Sequence, residues 1–135
     1  MTIRATFLSI GAALILSACG TTTGGPTKAL PPEFIDAAME AAFAETIAEE
    51  CRYLRYNTKR EDKVLSDYAL RLAAAGYTER DLNAAAKRMD RDPAVQRKAI
   101  RMILERDIDV TSEASWCRAG KREKARRTNI GRYLI

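Results

Sequence analysis

The sequence predicts an all-α fold, a small orthogonal or irregular bundle of about five helices with the first and last linked by a disulfide, and three observations point to the helices. Apolar residues recur at steps of three and four from Ile35 onward. Helix-start and helix-stop residues punctuate the chain at intervals of roughly 10 to 20 residues, the usual length of a globular helix. Strand-like alternation never lasts. The only candidate strand, Asp107 to Thr111, has no partner.

The first eighteen residues stand apart from this pattern. Arg4 is followed by an apolar run from Ala5 to about Leu16 and then by small residues, the build of a secretory signal. The run is too short to cross a bilayer, which takes about 20 apolar residues. Leu16-Ser17-Ala18-Cys19 resembles the bacterial lipobox, in which a branched apolar residue and two small ones precede the cysteine that receives diacylglycerol and usually a further amide-linked acyl chain such as palmitate. Residues 1–18 are therefore expected to be a lipoprotein signal peptide and Cys19 the lipidated first residue of the mature protein. An ordinary signal peptide cut after Ala18 would instead leave Cys19 a free thiol. Residues 19–32, rich in glycine and threonine, read as a flexible tether, and residues 33–135 as one helical domain.

Within that domain each helix has its own signals. Pro31 and Pro32 pre-set a helix start, and Ile35, Met39, Phe43, Ile47 and Cys51 form a winding stripe on a helix running from Glu33 to about Arg55. Asn57 ends it, and Thr58 to Glu61 fits a capping box for the next helix. That second helix turns Val64, Leu65, Tyr68, Ala69 and Leu72 inward, and Gly76 closes it in a left-handed C-cap with Tyr77 packing back. Thr78 to Asp81 starts a third helix carrying Leu82, Ala85 and Met89. Asp92-Pro93 starts a fourth with Val95, Ala99, Met102 and Ile103, fraying near Asp107. Ser112 caps the last helix, which bears Trp116 and Cys117, and Ile130, Tyr133 and Leu134 form a terminal apolar anchor.

Three cysteines are an odd number for an exported protein. If Cys19 carries lipid, Cys51 and Cys117 remain as an even pair, which an oxidising periplasm would close into a disulfide. With no histidine and no CxxC, a zinc site lacks its usual ligands and a Cys–His nucleophile cannot form. No metal or other cofactor is expected. Enzymatic activity is not expected either, since histidine, the phosphate loop, GxSxG and HExxH are all missing.

Charge is unevenly placed. Removing Arg4 with the leader lowers the formal charge of +5 by one. Glu33 to Glu50 holds Glu33, Asp36, Glu40, Glu45, Glu49 and Glu50 with no basic residue, whereas the C-terminal segment holds Arg118, Lys121, Arg122, Lys124, Arg126 and Arg127, with Arg132 beyond. A Cys51–Cys117 bond would let the basic helix run back along the acidic one, making them an internal pair whose exposed ion pairs contribute only about 0.2 to 1 kcal/mol each. Alternatively, Arg118, Lys121, Arg122, Lys124, Arg126 and Arg127 form a surface for an anionic partner: membrane headgroups, an anionic glycolipid, or an acidic envelope protein. Charge alone would also suit nucleic acid, but none is expected as the partner of an exported lipoprotein.

"IAEEC", "LAAAGYTERDLNAAAKRMDRD" and "SWCRAGKREKARRTNIGRYLI", taken in that order, resemble a family of small exported alphaproteobacterial proteins catalogued only as a domain of unknown function. The resemblance covers Ala44 to Ile135 and implies a helical exported domain in which Cys51 and Cys117 pair. Where family members often carry a glutamate-isoleucine pair, this chain has Glu123-Lys124. The expected function is a lipid-anchored binding or structural protein of the cell envelope, acting through a helical surface on a membrane or protein partner. Gly20 after Cys19, where aspartate would favour inner-membrane retention, points to the periplasmic side of the outer membrane.

Overall fold

A computed structural model describes residues 27–135. The expected signal peptide, the lipidation of Cys19 and the first part of the tether lie outside the described residues. Five α-helices follow in order, α1 (Pro32–Glu50), α2 (Thr58–Ala74), α3 (Glu79–Met89), α4 (Pro93–Leu104) and α5 (Glu113–Arg126), then a 3₁₀ turn at Gly131–Tyr133. No strand forms among the described residues, only an isolated antiparallel bridge between Tyr56 and Leu134.

The starts of these helices follow their sequences closely. Pro32 occupies the first position of α1, and Asp92 caps α4 by accepting from the Ala94 amide. Thr78 and Asp81 make a full capping box at α3, and the Ser112 side chain accepts from the Ser115 amide at α5. At α2 the cap is Asn57, whose side chain accepts from the Arg60 amide, so Thr58 is the first helical residue and not the cap. Asparagine is as good a cap as threonine, and here it is the residue left in a non-helical conformation as the chain enters α2.

The ends depend more on what lies nearby. α1 stops at Glu50, not near Arg55, because Cys51 is extended, the chain turns at Arg52 and Tyr53, and from Arg55 it pairs with the C-terminus. Arg55 exchanges both backbone bonds with Ile135 at 2.9 Å, and the Asn57 amide donates to the Tyr133 carbonyl at 2.7 Å. Three helices close with left-handed residues, Gly76 after α2, Asp107 beyond α4 and Arg127 after α5. At each, the following amide reaches back five residues: Tyr77 to Leu72, Ile108 to Ile103, and Thr128 to Glu123. α4 therefore ends in a defined turn at Asp107 and does not fray.

The main core gathers α1, α4, α5 and the C-terminal segment. Phe43 meets Trp116 with ring centroids 6.1 Å apart, and Ile47, Cys51, Leu54, Cys117, Ile130, Tyr133 and Leu134 are buried around them. The Cys51–Cys117 disulfide joins the end of α1 to the first turns of α5, closing a separation of 66 residues. A smaller cluster of Leu30, Leu72 and Ala85 lies where the start of α1 meets α2 and α3. Of the α2 residues expected inside, Leu72 is buried, but Leu65 and Ala69 are exposed, because α3 covers only part of that face.

Residues 27–31, within the segment read as tether, are packed onto the domain. The Lys28 amide donates to Asp81 Oδ1 at 3.0 Å, its ammonium donates to the carbonyls of Ala75 and Gly76 at 3.1 Å, and Arg88 binds Thr27 Oγ1 and the Lys28 carbonyl. Tyr77 Oη donates to the Ala29 carbonyl, and Leu30 is buried. A cation on the last carbonyls of a helix also meets the negative end of its dipole.

Candidate functional site

α5 buries one side and leaves the other to solvent. Ser115, Trp116, Cys117, Ala119 and Gly120 are buried, while Arg118, Lys121, Arg122, Lys124, Arg126 and Arg127 are all exposed. The buried side is tied down at both ends. Ser115 Oγ accepts from the Asp109 amide and donates to the Asp107 carbonyl, and Trp116 Nε1 donates to the Val110 carbonyl, so the first turn of α5 clasps the connection from α4. Farther along, Glu123 Oε1 accepts from Arg106 Nε at 2.8 Å, and its other oxygen accepts from Thr128 Oγ1.

Glu123 is thus a structural carboxylate inside the basic run, largely shielded from solvent. Arg106 also donates to the Met102 carbonyl and lies over the Phe43 ring at 5.3 Å. This arrangement consumes the acidic residue nearest Lys121, Arg122, Lys124 and Arg126 on the helix.

Internal pairing of α1 acids with α5 cations is not what the geometry provides. Among the described residues, none of these six cations, five in α5 and Arg127 just after it, lies within ion-pair distance of a carboxylate. Asp36 pairs with Lys98 of α4, and Glu40 accepts from Asn129 Nδ2 at 3.2 Å. Arg122 spends one hydrogen-bond donor on the Arg106 carbonyl at 2.6 Å. The two helices do pack against each other, but through Ile47, Phe43 and Trp116 and not through their charges.

Two residues outside the basic run extend this surface. Tyr53 is 64% exposed, with the Arg52 guanidinium 5.0 Å and the Lys121 ammonium 5.6 Å from its ring centre. Together with Arg118 and Glu113 they line an open cleft of about 360 Å³ beside Cys117. Glu113 pairs with Arg52 at 3.3 Å, leaving Arg118 and Lys121 as its uncompensated charges. Tyr53 has the sequence look of any core or rim aromatic. Its position follows from the Cys51–Cys117 bond, which brings the residues after α1 beside α5.

No group of three or more carboxylate and thiol side chains is arranged to hold a metal ion among the described residues. No described helix is long and apolar enough to cross a membrane.

Residues 29–135 match the Family of unknown function (DUF5333). The chain belongs to that family. DUF5333 thus spans the whole helical domain, including Ala29 and Leu30 of the docked strap and both cysteines of the disulfide. No curated protein and no solved structure matches the chain.

Proposed function

We propose that this protein is an exported, lipid-anchored envelope protein that acts by binding, with the outer face of α5 and the adjoining Tyr53 cleft as its contact for an anionic membrane or glycolipid surface. The single observation that carries the reading is the outward, uncompensated placement of Arg118, Lys121, Arg122, Lys124, Arg126 and Arg127. Each such cation near a charged membrane is worth about 1 kcal/mol, and an amphipathic aromatic such as Tyr53 suits the headgroup layer. Cys19 supplies the lipid in this reading, and the periplasmic face of the outer membrane is its location.

The test separates the anchor from the surface. Cys19→Ala protein is mixed with vesicles containing either phosphatidylglycerol or only zwitterionic lipid, and floated at low and high salt. Flotation with the anionic vesicles alone, lost on raising salt and lost in Arg122→Glu/Arg126→Glu, is the expected result. Indifference to lipid charge would overturn the anionic-surface reading and leave an envelope protein as the partner, to be sought by crosslinking in cells.

A further inference from the structure

We propose that the groove between α2 and α3 is an acyl-chain site, occupied by one fatty chain of the lipid carried on Cys19. This rests on the lipid-anchor reading above. The groove encloses about 350 Å³ and is lined by Leu30, Phe34, Leu65, Ala69, Leu82 and Met89 among others, with Asn83 the only polar lining residue. At the lower end of ligand-pocket sizes, ~300–1,000 Å³, it suits a single slender apolar chain. It bears no charged lining side chain that would anchor a peptide or a headgroup.

The occupant follows from where the remaining chain begins. Leu30 is itself part of the groove wall, and the three residues before it are pinned beside it by Asp81, Tyr77 and Arg88. Eight residue steps separate Thr27 from Cys19, a span of at most about 28 Å. The intervening Gly20 to Pro26 offers only glycine, threonine and proline, nothing that fills an apolar slot. A diacylglyceryl cysteine at that distance is the apolar group on the mature chain that can reach the groove. Leu65 and Ala69, exposed in the domain alone, then face hydrocarbon. The same strap that fixes the chain's point of departure delivers the lipid to its seat.

The experiment grows cells on a fatty acid carrying a mid-chain diazirine, illuminates them, and maps crosslinked peptides of the full-length protein by mass. Crosslinks from the Cys19-borne chain to α2 and α3 peptides are expected, reduced at least fivefold in both Ala69→Phe and Ala86→Phe, which fill the groove from exposed positions. A labelled Cys19 whose crosslinks reach only lipid, or crosslinks unchanged in both filled variants, would overturn the acyl site while leaving the anchor standing. An unlabelled Cys19 would overturn the anchor itself, and this inference with it.

Discussion

Gly120 of α5 lies so close to Ile47 of α1 that a Cβ on it would stand 2.5 Å from Ile47 Cγ2, and 2.4 Å from Leu54 Cδ1. Ile47 is fully buried and has nowhere to retreat. Alanine in place of a helical glycine ordinarily stabilises by about 1 kcal/mol, whereas overpacking a tight core costs about 1 to 3 kcal/mol. The two effects leave Gly120→Ala with a net loss of up to about 2 kcal/mol, expected in urea unfolding. A stabilised variant would show that α1 and α5 can separate without penalty.

The Cys51–Cys117 bond closes its 66-residue separation between the two helices that build most of the core. On the chain-entropy model a loop of that size is worth about 4 kcal/mol. Cys51→Ser and Cys117→Ser are expected to lose similar stability, and the double variant little more than either. Reductant should lower the midpoint of the native protein and leave the double variant unmoved. A marked difference between the single variants would assign one thiol a separate role.

Asp81 accepts from the Thr78 amide and hydroxyl and from the Lys28 amide. These bonds, the Thr78 amide foremost, favour the ionised carboxylate and hold its pKa down to about 2. A depressed carboxylate contributes stability that is full above its unfolded value near 4 and is lost as pH falls through the folded value. Hydrogen exchange at the Lys28 and Thr78 amides is expected to speed up, relative to the intrinsic rate, between about pH 4 and pH 2. Asp81→Asn should exchange fast throughout and lose that pH dependence, whereas unchanged protection in it would mean that the strap holds without the carboxylate.

Glu123 and Arg106 form the least exposed of the ion pairs among the described residues, with side chains 12% and 19% exposed. Removing one partner leaves the other charge in a site built for two. Glu123→Ala is expected to cost about 1 to 3 kcal/mol, since it removes the buried acceptor of both Arg106 and the Thr128 hydroxyl, while Arg106 keeps Glu105 at 3.7 Å and Thr128 keeps the residue-123 carbonyl. By contrast, Lys124→Ala on the outer face should move the melting midpoint hardly at all. Circular dichroism melts of the two variants make the comparison.

Local chemistry determined what could be read from the sequence alone. The starts of α1, α3, α4 and α5 were legible because a cap or an N-terminal proline acts within one turn of chain. Gly76 was legible as a helix stop for the same reason. The left-handed closures at Asp107 and Arg127 carry no glycine; aspartate favours that conformation only weakly and arginine not at all, so the sequence marked an end near Asp107 but not its closed turn. The end of α1 was misplaced because the chain turns at Arg52 and Tyr53 and then pairs Arg55 and Asn57 with Ile135 and Tyr133, partners that lie far away in sequence.

The candidate site divides along the same line. By itself the sequence determined that a basic run exists, that it lies on a helix, and that Cys51 and Cys117 are a pair available for bonding. Only the tertiary structure decided which way those cations face, because that depends on the side of α5 that packs against Ile47 and Leu54, a choice made by the small residues Ala119 and Gly120 and by the disulfide. It also decided that Glu123 turns inward to Arg106, that Tyr53 joins the basic face, and that Leu65 and Ala69 line a groove. Helix periodicity marks which residues share a face. What covers that face is set by elements distant in sequence, and those contacts form only when the chain has folded.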